Sequence, residues 1–231
     1  MIGAYRLAIF DFDGTLADSF PWFVGVLNDV ADRHGFNRVR AEELELLRGW
    51  DARRIIGHLR VPAWKLPFIA THMRRLMARD IDGIRLFDGV PEMLRLVRER
   101  GVTVAIVSSN SEANIRRILG PQAAGLVDHY ACGASLFGKA GKFRRMLRVS
   151  GVPADRAIGI GDELRDIEAA RKAGIACAAV AWGYTRGDAL AASQPDRLLT
   201  RVDEMVELFG GQVPRPGNAA ISPFAPGAAT D

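Results

Sequence analysis

The chain has 231 residues, 48% of them hydrophobic and 25% charged, with a formal net charge of +4; this suits a sizeable folded core and excludes a collagenous or compositionally disordered chain. Its only cysteines, Cys132 and Cys177, sit among small or apolar residues without Cys or His at metal spacing, so buried free thiols are expected rather than a disulfide or zinc site. The arginines are spread over amphipathic stretches such as "EMLRLVRER" instead of forming one run, and no apolar stretch approaches transmembrane length, so neither nucleic acid nor a membrane is expected as a partner.

The first apolar run, Leu7 to Phe10, begins close to Met1 and leaves no room for a signal peptide, which sets the expectation of a cytoplasmic protein. It reads as a strand buried on both faces, and "AIFDFDGTLADS" ends it with Asp11 and Asp13. Asp and Gly there suit an ordinary polar turn. They also suit chemistry, because ligands of open α/β sheets bind beyond the carboxyl ends of the strands, and residues two apart in an extended segment point to one side.

Phe20 to Gly35 has the period of an amphipathic helix, and Glu42 to Leu47, Ala52 to Leu59 and Ala63 to Ala78 continue it with no strand between them. From about Phe87 the pattern alternates. Helical "PEMLRLVRERG", "EANIRRILG", "GKFRRMLRVSG" and "DIEAARKAG" interleave with extended "VTVAIVSS", "DHYACG", "AIGIGD" and "IACAAVAW". Such alternation implies βαβ units and a doubly wound parallel sheet of the Rossmann-like α/β class. The expected domains are a core of residues 1–18 and 87–210 and an inserted all-helical cap of residues 19–86, hinged at "ADS" and "FDGVPE". The Pro-, Gly- and Ala-rich end, 211–231, reads as a loosely held tail.

Three further places carry candidate chemistry. Ser108, Ser109 and Asn110 end the strand "VAIVSSNS", where they serve either as helix caps or as ligands. Asp162 and Asp166 follow the strand "AIGIG", four residues apart, as an acidic pair or as a dipole-stabilising first turn. Lysine is scarce in this chain, yet Lys139 and Lys142 stand together in "LFGKAGK" at the start of a helix, where the macrodipole disfavours a cation and an anion would favour one.

Taken in order, DxD after a strand, Ser after a strand, Lys at a helix start and GDxxxD after a strand resemble the haloacid dehalogenase superfamily of phosphohydrolases, over about residues 5–205. The resemblance implies Asp11 as nucleophile and Asp13 as general acid and base. It implies that Ser108, with Ser109, a lysine (Lys139 by preference, Lys142 second) and amides near Gly14, grips the phosphoryl oxygens. Mg²⁺ is implied on Asp11, the backbone carbonyl of Asp13, and Asp162, with Asp166 supporting its waters. The second Asp separates the chain from the dehalogenating members, which lack it.

The expected function is therefore Mg²⁺-dependent hydrolysis of a small phosphorylated metabolite through an aspartyl-phosphate, similar to phosphoglycolate-phosphatase-like members. A sugar phosphomutase of the β-phosphoglucomutase kind shares these motifs, and a receiver-type signalling module shares the phosphorylated Asp but is shorter and lacks the helical insertion. In "LLRGWDARR", Arg48, Trp50 and Arg53 occupy the position of the family's specificity loop, where Arg suits a second anionic group; a glycine turn with solvated arginines is the other reading. Oligomeric state is left open by the sequence.

Overall fold

The computed structural model describes residues 5–133 and 138–210. The segment 211–231, for which a loose tail is expected, lies outside the described residues.

Apolar runs alternating with amphipathic helices build a six-stranded sheet whose neighbouring strands are all parallel. Its strands are β1 (Leu7–Phe10), β4 (Thr103–Val107), β5 (His129–Ala131), β6 (Ala157–Gly161), β7 (Ala176–Val180) and β8 (Arg197–Leu199), in the order β5-β4-β1-β6-β7-β8. The chain winds outward from β1 through β4 to β5, then crosses to β6 and winds out the other way. A topological switch point therefore falls between β1 and β6, the place where open α/β sheets bind ligands.

Side-chain parity explains the continuous apolar runs. Ala8 and Phe10 face one core cluster together with Val104, Ile106, Ile158 and Ile160, whereas Leu7 and Ile9 face the other with Ala105, Val107 and Cys177. Helices α5 (Val90–Glu99) and α6 (Glu112–Ala124) cover the first face through Met93, Leu94, Val97 and Ile115. The second face is covered by α7 (Lys139–Ser150) and α8 (Leu164–Ala173) through Phe143, Met146 and Ile167. Gly159 makes room for Phe143, because a Cβ there would stand 3.0 Å from its ring.

Between β1 and β4 lies the inserted helical region. A two-residue antiparallel ribbon, β2 (Ala17–Asp18) with β3 (Arg85–Leu86), joins its entry and exit, so the segment expected to be all-helical ends in a short strand. It contains α1 (Phe20–His34), α2 (Leu44–Leu47), α3 (Ala52–His58) and α4 (Leu66–Arg79). The helices start and stop on local signals: Pro21 lies in the first turn of α1, Gly35 closes it in a left-handed conformation, and the Asp51 carboxylate accepts the N–H groups of Arg53 and Arg54 at 2.9 and 3.0 Å. Short helices α9 (Gly187–Ala192) and α10 (Glu204–Glu207) flank β8. Both cysteines are free, and among the described residues no helix is long and apolar enough to cross a membrane.

Candidate active site

The Asp11 N–H donates to the Ile160 carbonyl at 2.8 Å, carrying the β1–β6 ladder one residue past the strand and presenting the carboxylate at the switch point. The chain then turns tightly, with the Phe12 carbonyl accepting from the N–H groups of Leu16 and Ala17 at 2.9 and 3.0 Å. Gly14 sits at φ +77°, where a Cβ would fall 2.2 Å from Asp162 Oδ2. Its N–H donates to the Ala17 carbonyl at 2.9 Å, inside the loop.

Asp162 follows β6 and is fully buried, and its carboxylate accepts from Thr15 Oγ1 and from the Tyr184 N–H, both at 2.8 Å. Asp166 is the third residue of α8, where it accepts the Glu163 N–H at 3.0 Å in a capping box. The two acids thus meet through a strand end and a helix cap, and not by sharing one helix face. Asp11, Asp162 and Asp166 each bring an oxygen within 4.8 Å of the others.

Lys139, the first residue of α7, places its ammonium between this cluster's members, 2.8 Å from Asp11 and in contact with Asp166. Burial alone would lower the Lys139 pKa, but the two carboxylates hold it above the ordinary lysine value. The acids respond in the opposite sense to crowding: burial, then like charges, raise Asp162 well above the carboxylate range, and burial likewise raises Asp166 despite Lys139 beside it. Glu163 and Arg165 form an ion pair at the edge of the cluster. Five carboxyls, Asp11, Asp13, Asp162, Glu163 and Asp166, therefore face two cations, Lys139 and Arg165, and hard buried oxygens in excess over local positive charge fit a divalent cation such as Mg²⁺.

Across the site, Asp13 turns its carboxylate to Asn110, whose Nδ2 donates to both oxygens at 3.2 and 3.3 Å. Burial, reinforced by the charge of Asp11, raises the Asp13 pKa to about 7, so the group can both give and take a proton near neutrality. The cap of α6 belongs to Ser111, whose Oγ accepts the Asn114 N–H at 3.2 Å. Ser108 is buried with its Oγ accepting the Asn110 N–H at 3.1 Å, and Ser109 and Asn110 line the cavity above Asp13. Lys142 is used differently from Lys139. It donates to the carbonyls of Ser108 and Ala131 at 3.0 and 2.6 Å, bracing the ends of β4 and β5, and burial lowers its pKa to about 8.

The candidate specificity residues are separated by the fold. Arg48 reaches from the cap to the core, donating to the carbonyls of Gly183 and Tyr184 at 3.0 and 3.1 Å and pairing with Glu45 at 2.8 Å. Trp50 packs edge-on against His58 and beneath the Arg54 guanidinium while lining the cavity. Arg53 lines a different cleft, with Lys139, Arg165 and Lys172. Asn110, weighed as a cap or a ligand, pairs with Asp13, whereas Thr15, Glu163, Arg165 and Tyr184 enter the site without having been singled out for it. Only the charges of "GDELRD" offered a sequence signal for any of them.

Comparison with known proteins agrees with this geometry. The family model of haloacid dehalogenase-like hydrolases matches residues 8–180. A phosphoglycolate phosphatase of Synechococcus elongatus is 31% identical over 200 residues, covering 86% of this chain and 94% of the relative. Another from Xanthomonas campestris is 30% identical over 214 residues, covering 87% and 92%. Among solved structures, a haloacid dehalogenase-like family hydrolase from Streptococcus pneumoniae superposes with a TM-score of 0.72 at 20% identity, covering 89% of this chain and 98% of its own. The chain belongs to the haloacid dehalogenase-like hydrolase family.

Proposed function

We propose that this hydrolase removes the phosphoryl group from a small organic phosphate monoester through an aspartyl-phosphate on Asp11, with Mg²⁺ as cofactor. The enzyme is a phosphoric monoester hydrolase, and the observation that carries the fuller reading is the meeting of Asp11, Lys139, Asp162 and Asp166 at the switch point with Asp13 on the open side. Asp11, Asp162 and Asp166 are the residues that would hold the cation, which when bound offsets the repulsion between a carboxylate and a phosphate dianion.

In the first half-reaction the Asp11 carboxylate attacks phosphorus, the P–O bond to the leaving group breaks, and Asp13 gives its proton to the departing alkoxide. In the second, Asp13 takes a proton from the water that attacks the aspartyl-phosphate, freeing Asp11 and inorganic phosphate. One group serves both steps, giving its proton in the first and recovering one in the second. In this reading Lys139 and Ser108 steady the phosphoryl oxygens. The cap, closing over Asp13, limits substrates to small molecules.

Release of inorganic phosphate tests this reading. With Mg²⁺, phosphate should be released from small phosphomonoesters. Exhaustive chelation should abolish the release, Mg²⁺ should restore it, and Ca²⁺, which takes larger and less regular coordination, should restore little. Undiminished turnover after chelation removes the cation from the mechanism, and no release from any phosphoester with Mg²⁺ present overturns the phosphatase reading.

A further inference from the structure

Directly above Asp13 opens a cavity of about 320 Å³ whose floor and walls differ in chemistry. The floor is polar, formed by Asp13, Ser109, Asn110 and Arg165. The walls come from the cap and are apolar: Phe20, Phe23 and Leu27 of α1 stand at helical spacing, as do Leu66, Ile69, Ala70 and Met73 of α4, with Ile55 and Ile56 of α3 between them.

Faces of this kind normally close on one another, because burying apolar surface is worth about 25 cal/mol per Å² and interiors pack to high density. Here they close only at one end, where Leu27 and Ile55 pack against Val39, Leu47 and Leu59, and elsewhere stay half-exposed. Only Val30 and Ala31 of α1, none of α3 and Met77 of α4 are buried. An open apolar chamber joined to a catalytic carboxyl calls for an apolar occupant.

The charged side chains at its edges are already engaged. Arg48 is held by the Gly183 and Tyr184 carbonyls and by Glu45, and Arg74 donates to the Ser109 carbonyl at 3.3 Å and to Thr71 Oγ1 at 3.0 Å. Arg165 pairs with Glu163, and Asp51 caps α3. A carboxylate carried between the cap helices by the leaving group would meet hydrocarbon, with the Arg48 and Arg74 guanidiniums beside it already hydrogen-bonded.

Resting on the phosphatase reading, we infer that the substrate's leaving group is an apolar alcohol, alkyl or aryl, held between α1, α3 and α4 while its phosphoryl end lies on the polar floor. A cavity of about 150 Å³ lined by aliphatic and aromatic side chains already holds benzene, so this chamber accepts a group larger than one ring. The two-carbon carboxylate carried by phosphoglycolate, the substrate in the relatives' names, would leave most of it empty.

The experiment measures kcat/KM with Mg²⁺ for ethyl, butyl and hexyl phosphate, with 2-phosphoglycolate and acetyl phosphate alongside. The alkyl alcohols differ little as leaving groups, so their series reads burial of methylenes. Each added methylene should raise kcat/KM about two- to fourfold, and hexyl phosphate should exceed ethyl phosphate by at least about tenfold and also exceed 2-phosphoglycolate. Ile69→Trp, which fills the chamber from α4, should cut the hexyl-to-ethyl ratio to below about threefold. A flat alkyl series with 2-phosphoglycolate preferred, while acetyl phosphate is still hydrolysed, overturns the apolar leaving group and leaves the phosphatase reading standing. An unchanged ratio in Ile69→Trp overturns the chamber as the place where the chain binds. Failure to hydrolyse even acetyl phosphate overturns both readings together.

Discussion

The core and the cap use their apolar residues in opposite ways. Around the sheet, successive side chains of β1, β4, β6 and β7 feed two dense clusters on opposite faces, and Gly159 makes room for Phe143. In the cap, a small apolar cluster centred on Val39, Leu47 and Leu59 closes one end of a void that the inward faces of α1, α3 and α4 line. Tight packing holds the chemical groups at fixed distances, which positioning catalysis requires. Loose packing leaves room for something else to complete the cap.

The sharpest division between the regions is chemical, and Asp11→Asn tests it first. The amide is nearly isosteric with the carboxylate but a poor nucleophile, so kcat should fall by about 10³-fold or more. Folding should survive, because Lys139 keeps its contact with Asp166. Asp13→Asn should cost about 10² to 10⁴ in rate, less for esters with very good leaving groups, which need no proton. Turnover within tenfold of wild type for Asp11→Asn, or thermal unfolding far below wild type, would break the separation of chemistry from fold at this strand end.

A second pair of changes separates packing in the core from packing in the cap. Phe143 is 1% exposed between α7 and the sheet, and Phe143→Ala should cost about 3–5 kcal/mol of stability through its lost transfer energy and the cavity left behind. Leu59 is 5% exposed but lies in a small cluster with half-buried neighbours that can collapse around a gap. Leu59→Ala should therefore cost only about 2 kcal/mol, the low end of the range for such substitutions. Denaturant unfolding of both variants provides the comparison. Equal losses would mean that the cap is packed as tightly as the core.

How much of this was legible in the sequence follows the same division. The strands and helices from Val90 to Val180 were readable because a strand buried on both faces is a continuous apolar run and its covering helices are strongly amphipathic. Elements too short to show a period were not: β2, β3, α9, β8 and α10 span two to six residues each. The expected end of "EANIRRILG" at Gly120 is a real break in α6, where the backbone leaves helical geometry at φ +71°; the further short turn that Pro121 starts was not anticipated.

In the site, residues that end strands stood out, since an acid after an apolar run breaks a pattern. Their supporting partners did not. Thr15 reaches Asp162 across 147 positions, and although Asn110 stood out at its own strand end, its pairing with Asp13 across 97 did not. Nothing local in a sequence marks a contact made only by the winding of the sheet. The hollow of the cap was illegible for a related reason: a helix facing a void and a helix facing a packed neighbour carry the same apolar stripe.

The smallest predicted effect concerns the seam between the two regions, where Arg48 stands. As a specificity residue it would discriminate among substrates; as a tie between cap and core it would act on all of them alike. Its guanidinium donates to the Gly183 and Tyr184 carbonyls, and its own carbonyl accepts the Arg186 N–H at 3.0 Å. Those carbonyls belong to the loop whose Tyr184 N–H holds Asp162 and whose Gly183 lies against it, where a Cβ would come within 2.3 Å of Asp162 Cβ. Arg48 thus couples the cap to an acid of the candidate metal cluster. A hydrogen bond from a charged group is worth about 1.5–3 kcal/mol, and this side chain keeps 23% of its exposure, so Arg48→Ala should lower kcat/KM about tenfold, near the low end of that range. The loss should be uniform across the alkyl phosphate series, whereas Trp50→Ala, which removes part of the chamber wall, should change the ratio between long and short esters. If Arg48→Ala instead shifts that ratio by more than about threefold, equal to about 0.7 kcal/mol of differential transition-state binding, the arginine belongs to the substrate and not to the seam.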